Sequence, residues 1–183
     1  PKSLLPDVPV DYSGYRPVNF DEKYRGGVAA DEALKQSLNV PAVNLVAGMK
    51  DRFYVLLKKG GISTLNKPRE YYGLPIVLGG AEVKLVDLTN MYATLANGGM
   101  YQPLKMVEGE RTEAPVRVVS EGAAFIISDI LSEVRRPDLP NCWEFTTSLP
   151  KVAWKTGTSY GHRDAWSVGY NPEYAIGVWI GNF

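Results

Sequence analysis

Two short runs in this chain carry side chains suited to acyl-transfer chemistry. Lys155-Thr156-Gly157-Thr158 offers an ammonium and two hydroxyls that can hold a carboxylate. Its glycine lets a substrate backbone come close, and a backbone N–H just beyond it can serve an oxyanion. Far upstream, Ser37-Leu38-Asn39 supplies a hydroxyl and an amide. Each run also has a plain structural use. Lys-Thr-Gly ends many ordinary strands, and Ser-x-Asn before Pro41 often just terminates a helix. Their joint occurrence gives them weight, since they read as two of the three parts of a serine acyl-transfer site.

The third part, a Ser-x-x-Lys bearing the nucleophile, has one literal match, Ser148-Leu149-Pro150-Lys151. It lies directly before the Lys-Thr-Gly strand, where it cannot supply a separate helix N-terminus. No nucleophile is therefore assigned, and the chain reads as part of an enzyme. His162 sits in an expected hairpin turn and does not make a Ser-His-Asp triad with Asp164. Arg163 and Asp164 read as a solvated pair pinning that turn. Trp143, Trp154, Trp166 and Trp179 fit core or sheet faces, and Cys142 is a bystander.

Composition narrows the class. Lysine plus arginine balance aspartate plus glutamate at 20 each, which removes any electrostatic case for nucleic acid. One cysteine and one histidine cannot form a disulfide or a metal cluster, and no cofactor is implied. There is no run of ~18 apolar residues to span a bilayer. The 183 residues suffice for one domain with a real core.

Residues 1–27 are rich in proline, glycine and tyrosine and read as an extended, turn-punctuated segment. A helical pattern runs over 28–38, Pro41 interrupts it, and it resumes over 42–59 until Gly60-Gly61. The pattern at 82–97 is the clearest helix, with Val83, Val86, Leu88, Met91, Tyr92 and Leu95 on one apolar face. Residues 100–107 and 115–119 read as a short strand pair. Ser120 is the expected N-cap of a helix over 121–133. Strand-like runs at 151–159, 165–170 and 174–180 predict an antiparallel meander. Helices followed by a small antiparallel sheet make the class α+β.

The stretch from Asp31 to Val43, which contains Ser37-Leu38-Asn39, resembles the region around the second active-site motif of class A penicillin-binding proteins. Leu78-Gly79-Gly80-Ala81-Glu82-Val83 through Gly99 is similar to a helix of their transpeptidase domains. Lys155 to Gly161, then Arg163-Asp164-Ala165-Trp166, resembles the 1C branch of that class. The resemblance covers nearly the whole chain in the expected order.

It implies a partial, β-lactamase-like transpeptidase fold over residues 1–183, without two N-terminal strands, the nucleophile helix and the C-terminal helix. It also implies a D-Ala-D-Ala transpeptidase that cross-links peptidoglycan stem peptides through a serine acyl-enzyme and binds β-lactams. The parent would carry a glycosyltransferase domain and a membrane anchor and act outside the cytoplasmic membrane. By position, Ser37 would relay a proton and Asn39 would bond the substrate's peptide. Lys155 would supply positive potential near Ser37. Thr156 and Thr158 would bind the terminal carboxylate, with the Thr158 N–H as an oxyanion donor. A β-lactamase or D,D-carboxypeptidase shares the motif set, and a non-catalytic muropeptide or β-lactam sensor stays open. The chain alone is expected to be inactive, with a sheet edge or apolar face left open to self-association.

Overall fold

The computed structural model describes residues 2–49, 51–109, 113–134, 139, 145, 150–159, 161 and 163–182. Ser148, Leu149, Cys142, Trp143 and His162 lie outside the described residues. The chain forms two units, residues 1–58 with 62–83 and residues 59–61 with 84–183.

In the first unit, β1 (Leu4–Asp7) pairs antiparallel with β2 (Gly26–Ala29), with Leu5 opposite Val28. Residues 8–25 between them keep the extended, turn-punctuated character expected, with an isolated Tyr12–Tyr15 bridge, and β2 shortens the expected helix at 28–38. What remains of that helix is α1 (Ala30–Lys35). Next comes α2 (Asn39–Met49), which contains Pro41 instead of being broken by it. Pro41 occupies the first turn, where a missing N–H costs nothing. Val40 and Val43 on α2 are fully buried. α3 (Arg52–Lys59) stops at the expected Gly60-Gly61. A short α4 (Arg69–Tyr72) and a 3-10 turn (Leu74–Leu78) complete the unit.

The second unit begins with α5 (Leu85–Ala96) and a strand pair, β3 (Met100–Tyr101) with β4 (Val116–Arg117). The buried stripe of α5 differs from the expected apolar face. Val86 is 44% exposed, whereas Asn90 and Thr94 are buried. Both polar side chains are satisfied, Asn90 donating to the Gln102 carbonyl and Thr94 to the Asn90 carbonyl. α6 (Glu121–Ser132) carries the expected cap, its Ser120 hydroxyl accepting the Ala123 N–H. Three strands follow as predicted, β5 (Ala153–Thr158), β6 (Asp164–Tyr170) and β7 (Ala175–Gly181), in the spatial order β5-β6-β7.

One face of this sheet packs on α5 and α6. Tyr170 meets the Tyr92 ring edge-on at 5.9 Å and shares a hydrogen bond with Ser128. Burial raises the Tyr92 pKa to about 12. On the opposite face Ile176, Val178 and Ile180 are exposed. The α+β class and the C-terminal meander are as the sequence predicts.

Candidate active site

Six residues were expected to do chemistry, and they fall into two groups, Ser37 and Asn39 in the first unit and Lys155 to Thr158 in the second.

The first group is built by the way α1 ends. The Ser37 N–H bonds the Leu34 carbonyl and the Leu38 N–H bonds the Ala33 carbonyl. This is the paired closure of a Schellman motif, with Leu38 packed back on Ala33 and Val28. Its central position needs a left-handed backbone and normally takes glycine. Here it is Ser37, at φ +55°. The strain of a non-glycine residue there is of order 1 kcal/mol. It turns the chain sharply so that Ser37 is exposed, Leu38 is buried and Asn39 opens α2. The Asn39 side chain donates to the Val18 carbonyl at 2.9 Å.

Sequence reasoning missed what holds this turn. Asn19 is buried, and its Oδ1 accepts the Asn39 N–H at 3.0 Å and the Val40 N–H at 3.2 Å. Its Nδ2 donates to the fully buried Asp7 carboxylate at 2.8 Å and to the Lys23 carbonyl at 2.7 Å. No local pattern marks Asn19, because it works through partners elsewhere in the chain.

The second group lies on β5. Two turn bonds fix the backbone alternation of the meander, Ser159 N–H to the Asp164 carbonyl and Asn171 N–H to the Tyr174 carbonyl. From that parity and the register, Lys155 and Gly157 aim their backbone groups at β6, and Thr156 and Thr158 aim theirs away from it. Among the described residues β5 is an edge strand, so the Thr158 N–H points off the free edge. Side chains alternate as well. Lys155 shares a face with Val168 and Gly177, while Thr156 and Thr158 share the other with Ser167, Val178 and Ile180. A cavity of about 250 Å³ lies on that second face, lined by these residues and Trp154. The ammonium and the two hydroxyls therefore do not share a face, and a ligand touching all three has to sit at the β5 edge.

Lys155 donates to the Thr156 carbonyl at 2.7 Å, and burial lowers its pKa from the ordinary lysine value. Gly157 is exposed and its backbone is not left-handed. A Cβ built there would meet nothing nearer than Trp166 Cβ at 3.9 Å, an ordinary contact. The fold does not require glycine at this position.

Beyond Thr158 the strand is fastened by Asp164, a half-buried residue and not half of a solvated pair. Its N–H bonds the Ser159 hydroxyl at 3.1 Å, and its carboxylate accepts the Trp179 indole N–H at 3.3 Å. The Ser159 hydroxyl, then the Trp179 and Trp166 indoles, hold its carboxyl below the usual carboxylate range, with burial opposing them. Trp166 and Trp179 lie against each other, 6.2 Å apart at their ring centres. Among the described residues no group of histidine, cysteine, aspartate or glutamate is placed to hold a metal. None of the described helices is long and apolar enough to cross a membrane.

The penicillin binding protein transpeptidase domain matches residues 1–182. The chain belongs to this family. It is 40% identical over 186 residues to penicillin-binding protein 1C of Escherichia coli strain K12, covering 99% of this chain and 23% of that protein. Penicillin-binding protein 1F of Bacillus subtilis strain 168 is 32% identical, covering 99% of this chain and 27% of its own length. The chain thus spans about a quarter of these relatives. Among solved structures, the PonA1 protein of Mycobacterium tuberculosis in complex with penicillin V is similar at a TM-score of 0.80 and 23% identity. That match covers 98% of this chain and 54% of the solved chain. An imipenem acyl-enzyme of penicillin-binding protein A from M. tuberculosis is similar at a TM-score of 0.74 and 19% identity, covering 99% of this chain and 50% of that one. These likenesses bear out the expected family and fold.

Proposed function

We propose that this chain provides the substrate-binding edge and the proton relay of a serine D-Ala-D-Ala transpeptidase acting on peptidoglycan stem peptides. The observation that carries the reading is the free edge of β5. There an outward Thr158 N–H, two hydroxyls and a lysine flank a glycine that folding does not demand. An extended peptide laid along such an edge gains main-chain hydrogen bonds, and Gly157 leaves its backbone room to approach.

In this reading a serine carried by another part of the protein attacks the carbonyl of the penultimate D-Ala. The C–N bond to the terminal D-Ala breaks as an ester forms, and Ser37 passes a proton toward the leaving amine. The amine of a neighbouring stem peptide then attacks the ester, releasing the serine and closing the cross-link. The Thr158 N–H stabilises the oxyanion in both steps. Asn39 holds the peptide, Thr156 and Thr158 take the terminal carboxylate, and Lys155 supplies positive potential. β-Lactams acylate the same serine, in keeping with the acyl-enzyme named for the structural relative. The parent pairs this domain with a glycosyltransferase, is membrane-anchored and works on the extracytoplasmic side. These residues alone form no acyl-enzyme, since their one Ser-x-x-Lys match is Ser148–Lys151.

The test uses the full-length protein and a fluorescent penicillin. Covalent labelling at a serine outside this chain is expected. Gly157→Ala should leave unfolding stability within about 0.5 kcal/mol, yet slow acylation at least ten-fold, roughly what a displaced acyl group costs. Labelling inside these 183 residues, or acylation of Gly157→Ala at the unaltered rate, would sink the reading.

A further inference from the structure

Both flanks of Ser37 are tied to one buried carboxylate. Asp7 on β1 is fully buried; its Oδ1 accepts from Asn19 at 2.8 Å and its Oδ2 accepts the Arg25 N–H at 3.0 Å. From there two arms diverge. Asn19 reaches the opening amides of α2 at Asn39 and Val40. Arg25, whose Nη1 lies 3.9 Å from Asp7, donates through Nε to the Gln36 side chain at 3.2 Å. Gln36 and Asn39 bracket Ser37 and Leu38, and the backbone at Ser37 sits in a left-handed conformation that serine does not favour.

Each Asp7 oxygen accepts one hydrogen bond, and the hydrogen bonding of Asn19 is complete. An asparagine side chain has two acceptor sites and two donors, and all four of Asn19's are used. The two Asn39-side amides are among those a helix start leaves without internal partners. A serine, threonine or aspartate just before α2 would ordinarily cap them, but that place is taken by Leu38, which is buried in the apolar cluster. The cap therefore arrives from Asn19, a residue that Asp7 orients.

We infer that Asp7 and Asn19 are positioning residues for the Ser37-Leu38-Asn39 turn, fixing where the relay hydroxyl and the peptide-binding amide stand. Fully satisfied buried networks rigidify what they touch, and an atom displaced by about 1 Å near the chemistry can cost about a hundred-fold in rate. The inference rests on the reading of Ser37 and Asn39 given above.

The experiment uses full-length protein, with acylation by fluorescent penicillin, cross-linking of stem peptide and thermal unfolding measured on each variant. Asn19→Ala should slow acylation by about ten- to a hundred-fold in the chemical step, with a smaller change in pre-acylation affinity. Leu65→Ala, a truncation of a buried apolar side chain in the same unit that takes no part in these hydrogen bonds, serves as the destabilised control. It should lower the unfolding midpoint while acylation below that midpoint stays near wild type. The exchange Asp7→Asn with Asn19→Asp restores an amide-to-carboxylate link while keeping an acceptor on the α2 amides. It should acylate at least five-fold faster than either single variant, as coupling between direct partners requires.

If Asn19→Ala does not fold, the exchange against Asp7→Asn alone decides the matter, together with Arg25→Met on the outer arm. Equal loss in Asn19→Ala and Leu65→Ala, or no recovery in the folded exchange, overturns the positioning role. Full cross-linking by Ser37→Ala instead overturns the assignment of Ser37, and that result is read on a separate variant.

Discussion

At the scale of single residues, each of the two motifs carries a residue that folding alone would not choose. Ser37 occupies the left-handed position of a helix-ending motif where glycine is cheaper. Gly157 stands in a strand where neither backbone angle nor crowding asks for glycine. In the proposed function, the first residue gives up stability for a hydroxyl, and the second gives up strand propensity for open space. The Ser37 case separates function from folding cleanly. Ser37→Gly relieves the backbone and Ser37→Ala does not, so the glycine variant should be the more stable by about 1 kcal/mol in denaturant unfolding. Both lack the hydroxyl, so both should lose cross-linking by about a hundred-fold or more. A glycine variant less stable than the alanine variant would mean that the Ser37 hydroxyl, not the turn, governs stability there.

At the scale of elements, close approach between α5 and β7 sets the back of the second unit. An added Cβ at Gly177 would lie 2.0 Å from the Thr89 hydroxyl and 3.1 Å from Leu85 Cδ1. That hydroxyl is held to the Leu85 carbonyl of its own helix at 2.8 Å, so it does not swing aside freely. Gly177→Ala should therefore cost about 1–3 kcal/mol, and adding Thr89→Ala should return most of it, as measured by chemical denaturation of the four members of the cycle. Additive losses would show that the crowding lies elsewhere. The same pair shows why the packing stripe of α5 is wider than the apolar face expected from its sequence. Contact here is made by a glycine against Thr89 and Leu85, and no hydrophobic period records a glycine or a threonine as a packing residue.

The long periodic runs were legible in the sequence. The meander, the Ser120 cap and the Gly60-Gly61 stop follow from local chemistry alone. β1 and β2 were not, because Leu4-Leu5-Pro6-Asp7 has no alternation and finds its partner through tertiary pairing. The residues proposed to do chemistry in the two motifs stand out in the sequence by type. Their support was not, since Asp7, Asn19 and Asp164 owe their roles to burial and distant partners.

At the scale of the whole molecule, 20 basic and 20 acidic side chains cancel near neutrality, so broad charge repulsion does not set the pH response there. A few buried groups set it, and on the alkaline side two of them act in opposite directions. Lys155 has a lowered pKa because burial disfavours its charge. The folded state then releases that proton before the unfolded chain does, so stability rises with pH up to the ordinary lysine value of about 10.4. Tyr92, with its pKa raised to about 12 by burial first and Tyr170 second, behaves in the reverse sense. Its contribution is fully present below the ordinary tyrosine value near 10 and is lost as pH climbs toward 12, a loss of roughly 2–3 kcal/mol.

Unfolding followed in denaturant at closely spaced pH values between 8 and about 11.5 should therefore show a rise and then a steep fall. Lys155→Met should remove the rise and abolish acylation, while Tyr92→Phe should flatten the fall and leave acylation intact. An alkaline fall of undiminished steepness in Tyr92→Phe would move the responsible ionisation to another phenol. Tyr170 is the next to examine, because it too is raised by burial while its Ser128 hydrogen bond pulls the other way.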